Sequence, residues 1–234
     1  MALVKYGGGI VQASGSIGGT TFARNRFGNY MRARTKPVNP QSARQVAARA
    51  RIAFLSEEWS DTLTAAQRLA WEAYASAIAW TNRLGESVNL TGYNHFCRSN
   101  AAILSVGGTV VTDGPTTLSL PNSDPTFSVA LSAASGVTIT FDDSLDWLDE
   151  AGGYLSLDLG TPQLSSRNFF NGPWRYAACL AGDDTTPPTT PDGPTATTTW
   201  TLIAAQLVWA RARIIRADGR ITTPFGSAAV TVGA

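Results

Sequence analysis

The sequence predicts an α+β fold, mainly β, in which an extended basic N-terminal arm leads through a short helical segment to a C-terminal β-sandwich. Three observations carry this. Lys5, Arg24, Arg26, Arg32, Arg34, Lys36, Arg44, Arg49 and Arg51 all precede the first acid, Glu57. Apolar side chains then recur at helical spacing as far as Gly107-Gly108, and beyond those glycines they alternate with polar ones as strands require.

Residues 1–38 form the arm. Ile10–Ala13, Thr20–Arg24 and Tyr30–Arg34 read as short strands, with Gly15, Gly18, Gly19 and Gly28-Asn29 supplying the turns. The segment has too few large apolar side chains for a core of its own, and its bases repel one another, so it is expected to order only against another surface. Fully extended at about 3.3 Å per residue, it would reach on the order of 120 Å and could embrace a neighbouring subunit.

Residues 39–108 read as about three helices. Asn39 is the expected N-cap of the first, with Pro40 at its first position and Val46, Ala50, Phe54 and Trp59 as its apolar stripe. Thr64 and Gln67 have capping-box spacing for the second, which carries Ala70, Tyr74 and Ile78 on one stripe and is expected to end near Trp80-Thr81-Asn82. Thr91 is placed to cap the third, whose Tyr93, Phe96, Asn100 and Leu104 share a face before Gly107-Gly108 stops it.

Residues 109–234 contain alternating runs at Phe127–Leu131, Val137–Phe141, Tyr154–Leu159, Trp174–Ala178, Leu207–Arg213 and Ala228–Val232. Asp218-Gly219, between Ile214-Ile215 and Ile221, is a hairpin signal because glycine supplies the positive φ of a tight primed turn. Roughly seven strands in a span of this length predict an immunoglobulin- or fibronectin-like sandwich. The Thr- and Pro-rich stretch Asp183–Pro194 is expected to be an exposed, stiff loop.

Charge and composition narrow the function. The net charge of +1 conceals an asymmetry, since from Thr109 onward twelve acids face six arginines. Cys97 and Cys179 are too few for a disulfide framework and read as reduced, buried thiols. Tyr6 is followed at once by Gly7-Gly8-Gly9, unlike a secretory signal, and no apolar run approaches the roughly 20 residues of a membrane span, so no membrane partner is expected.

No constellation of residues points to catalysis, a metal or a cofactor. His95 is the sole histidine, and Cys97, two residues on along a helix, points away from it; the pair reads as a partly buried helix-face histidine and a bystander. Asp142, Asp143, Asp146, Asp149 and Glu150 lack the spacing of a calcium loop and read as a solvated face or a landing site for a neighbour's basic arm. The arm's glycines match no nucleotide-binding pattern. Trp59, Trp71 and Trp80 fall in the helices and Trp147, Trp174, Trp200 and Trp209 in the sandwich, where core packing is the ordinary role; Trp174, following Asn168–Pro173, is the best candidate for an exposed sugar-binding aromatic. Arg24, Arg26, Arg32, Arg34 and Lys36 are the candidate interface. With Phe22, Phe27 and Tyr30 among them they could engage nucleic acid, but a protein interface is preferred because the same chain offers a complementary acidic region.

Several strings resemble a family of proteins from tailed bacteriophages and prophages: Gly15–Gly19, Arg34–Pro40, Leu63–Trp71, Asn168–Tyr176 and Arg216–Arg220. The likeness spans most of the chain and brings no catalytic motif. It implies a virion structural protein, assembled in the host cytoplasm and built like capsid cement or decoration proteins or head–tail connectors. Its implied partners are the major capsid protein or other virion subunits and copies of itself. A neck or tail component, and a carbohydrate- or receptor-binding module, are the alternative expectations.

Overall fold

The structure, a computed structural model, describes residues 2–194 and 201–234; Trp200 lies outside the described residues. The fold is α+β with strands predominating, and combines several antiparallel sheets with three α-helices.

The N-terminal residues fold back on themselves. β1 (Ala2–Leu3), β2 (Gly15–Ile17), β3 (Thr20–Asn25) and β4 (Gly28–Ala33) make one four-stranded antiparallel sheet in the order β1-β4-β3-β2. The expected strand at Ile10–Ala13 is absent, its place taken by β1 and β2, and the chain does not run out as a single extended arm. Gly18 and Gly19 explain the fold-back: both have positive φ, so Ile17 and Thr20 pair across a two-residue turn whose twist suits antiparallel strands. The next turn is Arg26-Phe27 rather than Gly28-Asn29, and the Asn25 side chain closes it by accepting the Phe27 N–H at 2.9 Å.

α1 (Ala43–Glu57) starts three residues later than expected. Ser42, not Asn39, is its N-cap, accepting the Gln45 N–H, while the Asn39 side-chain Oδ1 accepts from Arg49 at 2.9 Å. A short π-helical turn (Glu58–Thr62) follows. α2 (Ala65–Ala77) carries the full capping box: Gln67 N–H donates to the Thr64 hydroxyl, and Thr64 N–H donates to the Gln67 side chain at 2.9 Å. This helix ends at Ala77, earlier than expected, because Trp80 belongs to a hairpin of β5 (Ala79–Thr81) and β6 (Ser87–Asn89). Thr91 caps α3 (Gly92–Ser105) as expected, and Gly107, at φ +88, terminates it.

The helices close over Leu55, Leu63, Trp71, Tyr74, Ile78 and Phe96. Trp71 anchors this cluster, with Tyr74 and Phe96 edge-on to it and its indole N–H donated to the Thr112 carbonyl at 2.9 Å. Asn100 is fully buried yet satisfied: it donates to the carbonyls of Phe96 and Val111 and accepts the Val111 N–H at 2.7 Å, which fastens the chain leaving α3 against the helix.

The C-terminal region has a four-stranded sheet in the order β10 (Trp174–Ala181), β9 (Tyr154–Gly160), β12 (Ala210–Ile215), β13 (Phe225–Gly226). Two further antiparallel pairs join β7 (Ser128–Ser132) to β8 (Gly136–Thr140) and β11 (Leu207–Val208) to β14 (Val230–Thr231). Leu155, Leu157 and Leu159 of β9 point to one side, as do Ala210, Ala212 and Ile214 of β12, and they share a buried cluster with Val129, Leu131, Val137 and Ile139 of the β7–β8 pair. Each large side chain so buried stabilises the fold by about 1.5–3 kcal/mol before chain entropy is counted. The run Leu207–Arg213 is broken at Trp209, and that at Ala228–Val232 shortens to two paired residues. The Asp218-Gly219 turn is also wider than a two-residue primed turn: Arg216 N–H bonds the Arg220 carbonyl across three residues, of which Gly219 alone has positive φ. Asp183–Pro194 is largely exposed but tethered, since Asp192 exchanges both backbone hydrogen bonds with Ile139.

Helices and sheets share a seam. Ile103 of α3 packs with Ile215 and Ile221, and Arg98 of α3 donates to the carbonyls of Ile221 at 3.1 Å and Thr222 at 2.9 Å.

Candidate interaction surface

The N-terminal sheet is a single layer. Its pairings place Ala2, Ile17, Phe22, Arg24 and Met31 on one face and Leu3, Ala23, Tyr30 and Arg32 on the other. From Ala2 to Phe54 every residue is half-buried or exposed, and Leu55 is the first buried one. Ile17 on β2 is 78% exposed, and Val11 and Val38 in the flanking loops are 91% and 88% exposed. The sheet touches the rest of the chain through the β5–β6 hairpin, where Asn82 donates to the Phe27 carbonyl at 3.1 Å and Lys5 pairs with Glu86 at 3.1 Å.

Arg24 lies on β3, Arg26 in the β3–β4 turn, Arg32 on β4, and Arg34 and Lys36 on the strand's continuation. All five are exposed and form no ion pair among the described residues. Arg34 prolongs the ladder through its backbone, donating to the Gly19 carbonyl at 2.7 Å. The fold thus gathers these cations on one small sheet.

Trp174, the best candidate for an exposed aromatic, is half-buried and stands apart from that group. Phe170 meets its ring edge-on at 5.1 Å, and the Arg211 guanidinium lies over it at 4.6 Å while bonding Asp158. Phe170 stacks in turn on Trp209. The ring is therefore engaged by its own chain and only partly open to solvent.

His95 is fully buried rather than partly so. Its Nε2 accepts the Trp80 indole N–H, leaving no acceptor for a thiol, and burial pushes the Cys97 thiol pKa up, so the two make no nucleophile–base pair. Cys97 and Cys179 are free and only half-buried. The acidic cluster is less solvated than expected: Arg216 bonds Glu150 through two nitrogens and Asp146 at 2.9 Å. Among the described residues no set of three or more His, Cys, Asp or Glu side chains is arranged to hold a metal ion.

Two features escaped the sequence reading. The apolar stripe of the first helix is turned outward at Val46 and Phe54, each more than 40% exposed, while Trp59 packs against the helical core; Ile52, outside that stripe, is exposed as well. Asp183-Asp184 also lies against the 142–150 loop, because Asp183 N–H bonds the Leu148 carbonyl at 2.8 Å. The first was concealed by a spacing shared by buried and solvent-facing stripes, and the second joins residues far apart in sequence.

No family model matches the chain, and no curated protein or solved structure matches it either.

Proposed function

We propose that the protein is a non-enzymatic structural component of a tailed-bacteriophage virion, a capsid cement or decoration protein that grips neighbouring subunits through residues 1–38. The observation that carries this reading is the N-terminal sheet itself: an ordered, single-layered, strongly cationic element with no buried residue of its own. A lone sheet of this size is stable only when one face is covered. The bases Arg24, Arg26, Arg32, Arg34 and Lys36 then meet acidic surfaces of neighbours, and the phage-like strings quoted above supply the virion context. In this reading residues 109–234 are an immunoglobulin- or fibronectin-like sandwich, with β10-β9-β12-β13 as one layer and β7, β8, β11 and β14 as the other.

The test is the copy number and the attachment of the protein in purified particles. Quantitative mass spectrometry is expected to find it near the stoichiometry of the shell lattice, and deletion of residues 1–38 is expected to abolish attachment while leaving a folded remainder. A ring-like handful of copies moves the assignment to the neck or tail. Attachment unchanged by the deletion overturns the role given to the N-terminal region.

A further inference from the structure

We propose that the N-terminal sheet docks on a second copy of this chain, against the acidic end formed by the 142–150 loop and Asp183-Asp184. The inference rests on the reading of the N-terminal region as a subunit-binding surface, and it adds the partner and the landing site.

The sheet's Ile17–Phe22–Met31 face has no second layer among the described residues, and its cations have no acids of their own segment to meet, since none precedes Glu57. The sheet has two strands of six residues flanked by one of three and one of two, and presents about 270 Å² per face. That is about a third of the ~800 Å² per partner that a stable pairwise interface buries, so each contact is weak by itself and dominated by charge.

The complementary surface lies in the same chain. The bond from Asp183 to Leu148 sets Asp183 and Asp184 beside Asp146, Asp149 and Glu150. Arg216 satisfies Glu150 and part of Asp146, which remains 76% exposed in its side chain. Asp143 and Asp149 are exposed and form no ion pair among the described residues, and Asp184 accepts only from the Thr185 hydroxyl at 3.3 Å. The acidic end therefore carries an excess of carboxylates that the fold does not neutralise.

Among the described residues of one chain no ion pair joins the two surfaces; the sheet's own salt link runs from Lys5 to Glu86. Contact between them is head-to-tail between copies. Such a heterologous interface propagates into rings or arrays, in which many weak contacts hold firmly together. Long-range attraction of this kind is screened at high ionic strength, where the Debye length falls to about 3 Å.

A charge swap on the full-length chain tests the idea. Arg24→Glu, on the Ile17–Phe22–Met31 face, with Arg26→Glu in the turn at its end makes one variant, and Asp149→Lys with Asp184→Lys the other; all four sites are exposed, and circular dichroism checks that both fold. In sedimentation velocity at low salt the native chain is expected to self-associate, each variant alone to lose at least about tenfold in association constant, and an equimolar mixture of the two to recover it. Failure of the mixture to associate, or a native chain that stays monomeric at low salt, overturns the proposal. So does retention of a DNA duplex by the native chain, lost in the arginine variant, without any self-association. If the chain is monomeric in solution but the arginine variant is still missing from virions, the subunit-binding reading stands and only the choice of partner falls.

Discussion

Trp80 donates its indole N–H to Nε2 of His95 across 3.2 Å. The bond places the imidazole proton on Nδ1 and requires a neutral ring. Protonating Nε2 would set two donors against each other in a site where His95 has no solvent exposure. Arg98 adds to the cost, because its guanidinium lies over the same Trp80 ring at 4.7 Å. Burial first, and Arg98 second, push the His95 pKa down to about 4.

Stability should therefore depend on pH through this residue. The unfolded chain takes up the proton near pH 6.5 and the folded chain only near 4, so the stabilisation is complete above about pH 6.5 and is lost as pH falls toward 4. Between about pH 7 and about pH 4.5 the native chain is expected to lose about 2 kcal/mol more than His95→Gln, which keeps an acceptor for Trp80 and does not titrate. Urea unfolding of both proteins at the two pH values measures the difference. Parallel losses would show that carboxylates elsewhere control the acid response.

A second prediction concerns the contact between α2 and α3. A Cβ on Gly92 would stand 2.6 Å from the Glu72 nitrogen and 2.8 Å from the Trp71 carbonyl carbon, both backbone atoms that no rotamer change can move. Gly92→Ala should destabilise the protein by about 1–3 kcal/mol through overpacking, although alanine is the better helix former. The shift in urea midpoint at constant slope reads it. A gain in stability would mean that the two helices separate without cost.

How far the sequence foretells this structure depends on how local the determining physics is. Thr64 with Gln67, and Thr91 ahead of α3, act within one helical turn, and both caps form as expected. The alternation of Leu155, Leu157 and Leu159 likewise needs only a strand with one wet face. The first helix start depended on a competition that composition does not resolve: Asn39 bonds Arg49, Gln41 adopts φ 47, and Ser42 is left as the cap. The five candidate cations could be named from charge and the two strands that carry them from their alternation, but their closure into a four-stranded sheet rests on the Gly18-Gly19 turn and on β1 and β2, where the sequence pointed to Ile10–Ala13 instead. Trp174 could be named as an aromatic after a loop, whereas its covering by Arg211 depends on a strand pairing between β9 and β12 that brings Asp158 alongside.

That covering yields the last prediction. If Trp174 serves packing, removing it must cost stability, and its energy must be shared with Arg211 and Phe170, which flank the ring. Trp174→Ala is expected to destabilise by about 2–3 kcal/mol, less than a fully buried tryptophan because the ring is half-exposed. Arg211→Ala also leaves Asp158 without its cation, so its single effect overstates the contact with the ring. A double-mutant cycle between Trp174→Ala and Arg211→Ala isolates that contact and should return a coupling of about 1 kcal/mol. Trp174→Ala with unchanged thermal stability, together with a loss of binding to a glycan panel, would instead assign the ring to carbohydrate recognition. An exposed platform gives up little when removed, whereas a ring held between a guanidinium and a phenylalanine does not leave without cost.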